Sequence, residues 1–212
     1  MSEQEWLDST DPTPMLDFLR GKASGRKLRL FACACCRRVW PLLVERQSRE
    51  AVEVAEQYAD GTASDDNLAS ARAAALRTYL TSPPGTVAYR AAAAAFYATR
   101  GPVRLAAGNA AAATAGLVPA FGGQEQADLL RCLLGHLFAR GNIPEPWLSW
   151  NDGTIPKLAR VIYDGGTFDL LPVLADALEK AGCQDPDILG HCRSGGEHVR
   201  GCWPLDLILG KQ

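Results

Sequence analysis

The feature that most restricts the fold is the period of the apolar residues, which is helical along nearly the whole chain. Between Arg26 and Val44, Leu28, Phe31, Cys35, Val39 and Leu42 recur at the spacing of one helix face, with further apolar residues around them and Pro41 as a point of kink or division. A helix that is apolar on most sides belongs in the centre of a fold. Nowhere does a run of β-branched residues alternate with polar ones, as a half-buried strand requires. Start and stop signals divide the rest. Thr13-Pro14 opens a helix carrying Met15, Phe18 and Leu19, which Gly21 ends. Ser48 reads as the cap of a helix with Val52, Ala55 and Tyr58 inward, and Ser64 as the cap of the next, with Asp65 and Asp66 at its positive end. From Ala69 to Ala115 the chain is alanine-rich, broken at Pro83-Pro84-Gly85 and Gly101-Pro102. Alanine has the best helix propensity, and its small side chain permits close helix packing.

A further helix is expected over about 124–140, with Leu129, Cys132, Leu133 and His136 on one side. Thr154 to Tyr163, Thr167 to Gly182 and Asp185-Pro186 to Cys192 or Arg193 read as three more. The turn Ser194-Gly195-Gly196 leads to a final segment, His198 to Leu209. The expectation is an all-α fold, a multi-helix array or bundle, either with one shared core or as two helical subdomains. Residues 1–140 form the N-terminal helical part. Residues 141–153, with Pro144, Pro146, Trp147 and Trp150, form a connection, and 154–212 the C-terminal helical part.

Composition narrows the class. With 47% hydrophobic and 22% charged residues over 212 positions, the chain can bury a sizeable core and is not a disordered one. The longest weakly polar stretch, Leu105 to Gly123, is mostly alanine and glycine and contains Pro119, which argues against a membrane span. The first 20 residues lack the basic and apolar regions of a signal peptide. Seven cysteines, an odd number, then read as reduced thiols in a cytoplasmic protein.

Two sets of strings carry a resemblance. One is Glu5-Trp6-Leu7, then Asp11-Pro12-Thr13-Pro14-Met15-Leu16, then Leu30-Phe31-Ala32-Cys33-Ala34-Cys35-Cys36-Arg37-Arg38. The other is Trp150-Asn151-Asp152-Gly153, then Leu174-Ala175-Asp176-Ala177-Leu178, then His198-Val199-Arg200-Gly201-Cys202-Trp203. Together they resemble an uncharacterised family of planctomycete bacterial proteins. The resemblance covers both ends of the chain, while Ala69 to Gly123 is similar only in composition. It implies a bacterial cytoplasmic protein and carries over no site residue.

The candidate chemistry lies near the C-terminus. Cys183, His191, Cys192, His198 and Cys202 fall close together in sequence, and four of them could form a tetrahedral zinc site. There is no Cys-x2-Cys pair, so the competing reading is small buried cysteines and locally bonded histidines. Cys192 or Cys202 with His198 or His191 could also form a thiol–imidazole pair, oriented by Asp187, Glu197 or Asp206. Cys33, Cys35 and Cys36 lie on an apolar helix and read as core residues, with redox or metal chemistry beside Arg37 and Arg38 as the alternative. The chain has no nucleophile elbow, P-loop or dinucleotide fingerprint. Zinc is therefore the one cofactor candidate.

Charge is unevenly spread although the net charge is only −2. Residues 20–49 hold nine basic side chains against the single Glu45, and residues 50–66 hold six acidic ones and no basic one. Adjacent blocks of opposite sign suggest pairing between neighbouring helices, with phosphate contact as the alternative. The reading that follows is a non-catalytic helical module binding a protein partner. The alternatives are a small metal-dependent or thiol enzyme using the Cys/His cluster, and a nucleic-acid binder through residues 20–49.

Overall fold

The computed structural model describes residues 1–137 and 143–211, and of His136 only the backbone. Among these residues the protein is all-α: twelve α-helices, three short 3-10 turns and no strand. The chain divides into two compact units, Met1–Leu130 and Arg131–Gln212. No helix among the described residues is long and apolar enough to cross a membrane.

The first unit contains α1 (Glu3–Asp8), α2 (Pro12–Phe18), α3 (Gly25–Arg38), α4 (Arg46–Ala59), α5 (Asp65–Thr81), α6 (Val87–Ala98) and α7 (Val103–Thr114). Helix α8 (Gly123–Leu134) begins here and ends in the second unit. As its apolar surround predicts, α3 is central, packing on α4, α6 and α7. Every residue from Lys27 to Cys36 on it is buried. The pentad Ala91 to Ala95 is buried throughout on α6, where small side chains let the neighbouring backbones come close. The two charge blocks meet each other: Arg26 pairs with Asp60 at 2.9 Å and Arg37 with Glu56 at 2.6 Å, both tying α3 to α4. Arg29 is buried and its Nη1 donates to the carbonyls of Ala98 and Arg100, satisfying acceptors at the end of α6.

Several boundaries differ from the sequence expectation for physical reasons. Helix α3 stops at Arg38 rather than Val44, because Pro41 has no N–H and Trp40–Leu42 tightens into a 3-10 turn. Helix α4 begins at Arg46, so Ser48 is its third helical residue and not its cap. The cap of α2 is Asp11, whose Oδ1 accepts the Thr13 amide at 2.8 Å. Helix α1 was not anticipated, although Ser2 and Glu5 form a capping box around its first turn.

The second unit holds the end of α8, a 3-10 turn at Gly135–Leu137, α9 (Glu145–Gly165), a 3-10 turn at Phe168–Leu170, α10 (Leu171–Lys180), α11 (Pro186–Arg193) and α12 (Trp203–Leu209). Residues 138–142, at the end of the expected helix and the start of the expected connection, lie outside the described residues. Helix α9 is bent: Trp150 to Gly153 leave helical geometry, with Asn151, Asp152 and Gly153 at positive φ. Its later part packs Ile155, Ala159 and Ile162 with Leu171, Leu174 and Leu178 of α10 into one core cluster, which Ile188, Cys192, Trp203 and Leu205 complete. Asp185 caps α11, accepting the amides of Asp187 and Ile188. The expected final helix from His198 is shorter. Residues 198–202 are not helical, with a turn at Arg200-Gly201, and α12 starts at Trp203, with Pro204 in the first turn, where a missing N–H breaks no helical bond.

Candidate metal centre

Four side chains of the second unit converge. Cys132 comes from the last turn of α8, His191 from the last turn of α11, His198 from the loop after it, and Cys202 from the residue that precedes α12. Their ligand atoms all lie within 4.8 Å of one another. His191 Nε2 is 3.3 Å from Cys202 Sγ. His198 Nδ1 is 3.8 Å from both Cys132 Sγ and Cys202 Sγ. A tetrahedral zinc with about 2.3 Å bonds to sulfur and about 2.0–2.1 Å to nitrogen needs ligand–ligand edges of roughly 3.3–3.8 Å. The three distances above fall in that range, and all separations in the set stay within 4.8 Å.

Local structure explains how the set is delivered. Helix α11 is capped at its start by Asp185 and closed by Ser194, whose Oγ donates to the His191 carbonyl at 2.8 Å. The following loop then turns back. Gly201 takes φ +88°, a value that side chains disfavour, and places Cys202 at the head of α12. The Cys202 amide donates to the Val199 carbonyl at 2.9 Å, which holds the turn. His198 presents Nδ1 to the two sulfurs while its Nε2 faces Ser194, 3.4 Å from both the carbonyl oxygen and Oγ. An outer hydrogen bond of this kind fixes ring orientation and tautomer in metal-ligating histidines. The His191 ring meets His198 edge-on at 4.8 Å and lies 5.4 Å from the Trp203 ring.

Burial grades across the site. Cys132 and Cys202 are 3% and 0% exposed, and the two imidazoles are half-buried. The hydrogen bond from Cys202, with those from His191 and His198, holds the Cys132 thiol well below its ordinary pKa even though burial opposes this. Burial disfavours a charged His198 ring, but its contacts with Cys132 outweigh that and move its pKa above the usual imidazole value. The contact thus favours a thiolate at Cys132 beside a protonated His198 ring, and a metal ion would have to displace that proton.

Of the five residues singled out in sequence, the structure brings His191, His198 and Cys202 together. Cys183 and Cys192 share the hydrophobic core cluster with Cys132 and Cys202 but are not among the converging side chains. Burial pushes the Cys183 and Cys192 thiols up, Cys192 to about 12. The fourth member is Cys132, which sequence reading placed on an apolar helix face and did not connect to the cluster. Its only local signal is its position at the end of a helix, just before Gly135. In the first unit Cys33, Cys35 and Cys36 are fully buried on α3, and burial drives the Cys33 and Cys36 thiols well up. Compared with protein-family models, curated proteins and solved structures, the chain finds no match.

Proposed function

We propose that this protein is a non-catalytic helical module whose C-terminal unit folds around one structural zinc ion, held by Cys132, His191, His198 and Cys202. The observation that supports this most is the set of four donors, two sulfurs and two imidazole nitrogens, all within 4.8 Å of one another, with three of their separations at tetrahedral ligand–ligand spacing. Catalytic zinc keeps a position open for water or substrate, whereas structural zinc takes four protein ligands. Two thiolates and two neutral imidazoles also make the site electrically neutral around a divalent ion, which suits its burial. The unit has need of such a link. Helices α11 and α12 span only Pro186–Arg193 and Trp203–Leu209, lengths that are marginal without tertiary support. The role of the folded module is binding to a protein partner, in a cytoplasmic setting that keeps both thiols reduced.

Cobalt(II) titration of the metal-free protein tests the site. One equivalent is expected to give the absorption of tetrahedral cobalt with sulfur-to-metal charge transfer. Cys132→Ser and Cys202→Ser each lose part of the charge-transfer band, while Cys183→Ser and Cys192→Ser keep it. Retention of the full band in Cys132→Ser would contradict the assignment.

A second reading, a small thiol enzyme, draws on the 3.3 Å approach of His191 Nε2 to Cys202 Sγ. It requires rapid alkylation of Cys202 in the metal-free protein, slowed by His191→Ala. A nucleic-acid role for residues 20–49 draws less support, because Arg26 and Arg37 pair with α4 and Lys27 and Arg29 are buried.

A further inference from the structure

The first unit contains a cavity of about 440 Å³ unrelated to the cysteine and histidine cluster. It opens where the start of α4, the end of α5 and the start of α6 meet. Its floor is buried and includes Leu43, Ser48 and Ala92. Its rim is exposed and includes the only two charged residues that line it, Glu45 and Arg77.

Three observations on this cavity are independent of one another. Ser48 is 1% exposed, and its Oγ has no hydrogen-bond partner. Buried hydroxyls are nearly always bonded, so an orphaned one in a cavity floor is short of an acceptor or donor that something else supplies. The start of α4 is uncapped: Glu45 occupies the cap position but makes no side-chain bond to the helix. The amides of Arg46 and Gln47 therefore precede the first helical bond, which runs from the Ser48 amide to the Glu45 carbonyl at 3.0 Å. Such a helix end is positive and attracts oxyanions. Finally, the Arg77 side chain makes no ion pair or hydrogen bond among the described residues, and it lines the cavity from α5. The shape is held in place from below, since Leu43 is buried and its carbonyl accepts Arg49 Nε at 2.6 Å.

We infer that this cavity is a binding site for a small molecule carrying an oxyanion, its phosphate or carboxylate seated between the start of α4, Ser48 and Arg77. Leu42, Leu43 and Ala92 offer the apolar wall for the remainder of the molecule. Glu45 opposes an anion from the rim, and this gives the site a sign that can be tested.

The test is calorimetric titration of the full chain with inorganic phosphate and, in a separate arm, acetate. Saturable binding of one probe is expected at millimolar concentration, and which probe binds tells phosphate from carboxylate. Arg77→Ala should weaken it about ten-fold, the loss of one charge-assisted contact. Ser48→Ala should weaken it less, and Glu45→Gln should tighten it. Arg77 and Glu45 are exposed, so their variants keep the fold and the proposal stays testable if Ser48→Ala does not. No saturable heat with either probe, equal binding in wild type and Arg77→Ala, or weaker binding in Glu45→Gln would each overturn the proposal.

Discussion

Trp203 lies so close to Gly135 that a β-carbon at residue 135 would sit 2.6 Å from the indole Nε1 and 2.9 Å from Cδ1. The contact links the two ends of the metal centre, because Gly135 follows the helix bearing Cys132 and Trp203 follows Cys202. The indole also lies against His191. Gly135→Ala must therefore displace a buried ring, an overpacking change that costs about 1–3 kcal/mol. Urea denaturation should show that loss, and zinc affinity should fall with it. A change under about 0.5 kcal/mol would mean that the indole can move away freely.

Helix α3 makes a second, separate claim. Phe31 is fully buried in it, beside Cys35 and Cys36. Phe31→Ala is expected to lower stability by about 3–5 kcal/mol, as for other large-to-small core changes. Chemical denaturation is the direct measurement, and a near-neutral result would remove α3 from the centre of the first unit.

Thiol labelling separates the cysteines by environment. No disulfide joins any of the seven, so denatured protein should take seven alkyl groups. In the native protein at pH 8, Cys33, Cys36 and Cys192 should resist iodoacetamide, since burial holds their thiols far above that pH. Chelation should make Cys132 and Cys202 the first to react. Labelling of Cys192 ahead of Cys132, read by peptide mass mapping, would go against this order.

Much of the helix pattern was legible in the sequence because it depends on local chemistry. Ser64 caps α5 as its side chain predicts, and Asp185-Pro186 opens α11. Ser48 shows the limit of that reasoning. It has the residue type of a cap, yet it lies on the buried face with Ala51, Val52 and Ala55, and tertiary packing decides the start of α4. The metal centre was half legible for a similar reason. His191, His198 and Cys202 come from one short segment and could be grouped by sequence distance. Cys132 could not, since helices α9 and α10 intervene and its spacing is that of a core residue. Cys183 and Cys192 are near in sequence, yet both lie in the buried core of the unit outside the set of converging ligands.

Glu125 predicts a pH effect at the start of α8. Its carboxylate accepts the Gly122 amide at 2.8 Å, and that bond holds its pKa below the usual carboxylate value. A depressed folded pKa means that the contribution is complete above the ordinary carboxylate range and disappears as pH falls through the lowered value. The stability difference between wild type and Glu125→Gln should therefore shrink on acidification from pH 7 to 3. A difference that stays constant over that interval would show that the carboxylate charge plays no part.

The central claim is that Cys132, His191, His198 and Cys202 hold one zinc ion. Metal content, measured by mass spectrometry on protein purified without a histidine tag, addresses it most directly. The account predicts one zinc per chain in the wild type and in Cys183→Ser, and a large loss in Cys132→Ser. Wild-type protein that holds no zinc even after incubation with excess zinc and gel filtration would contradict it.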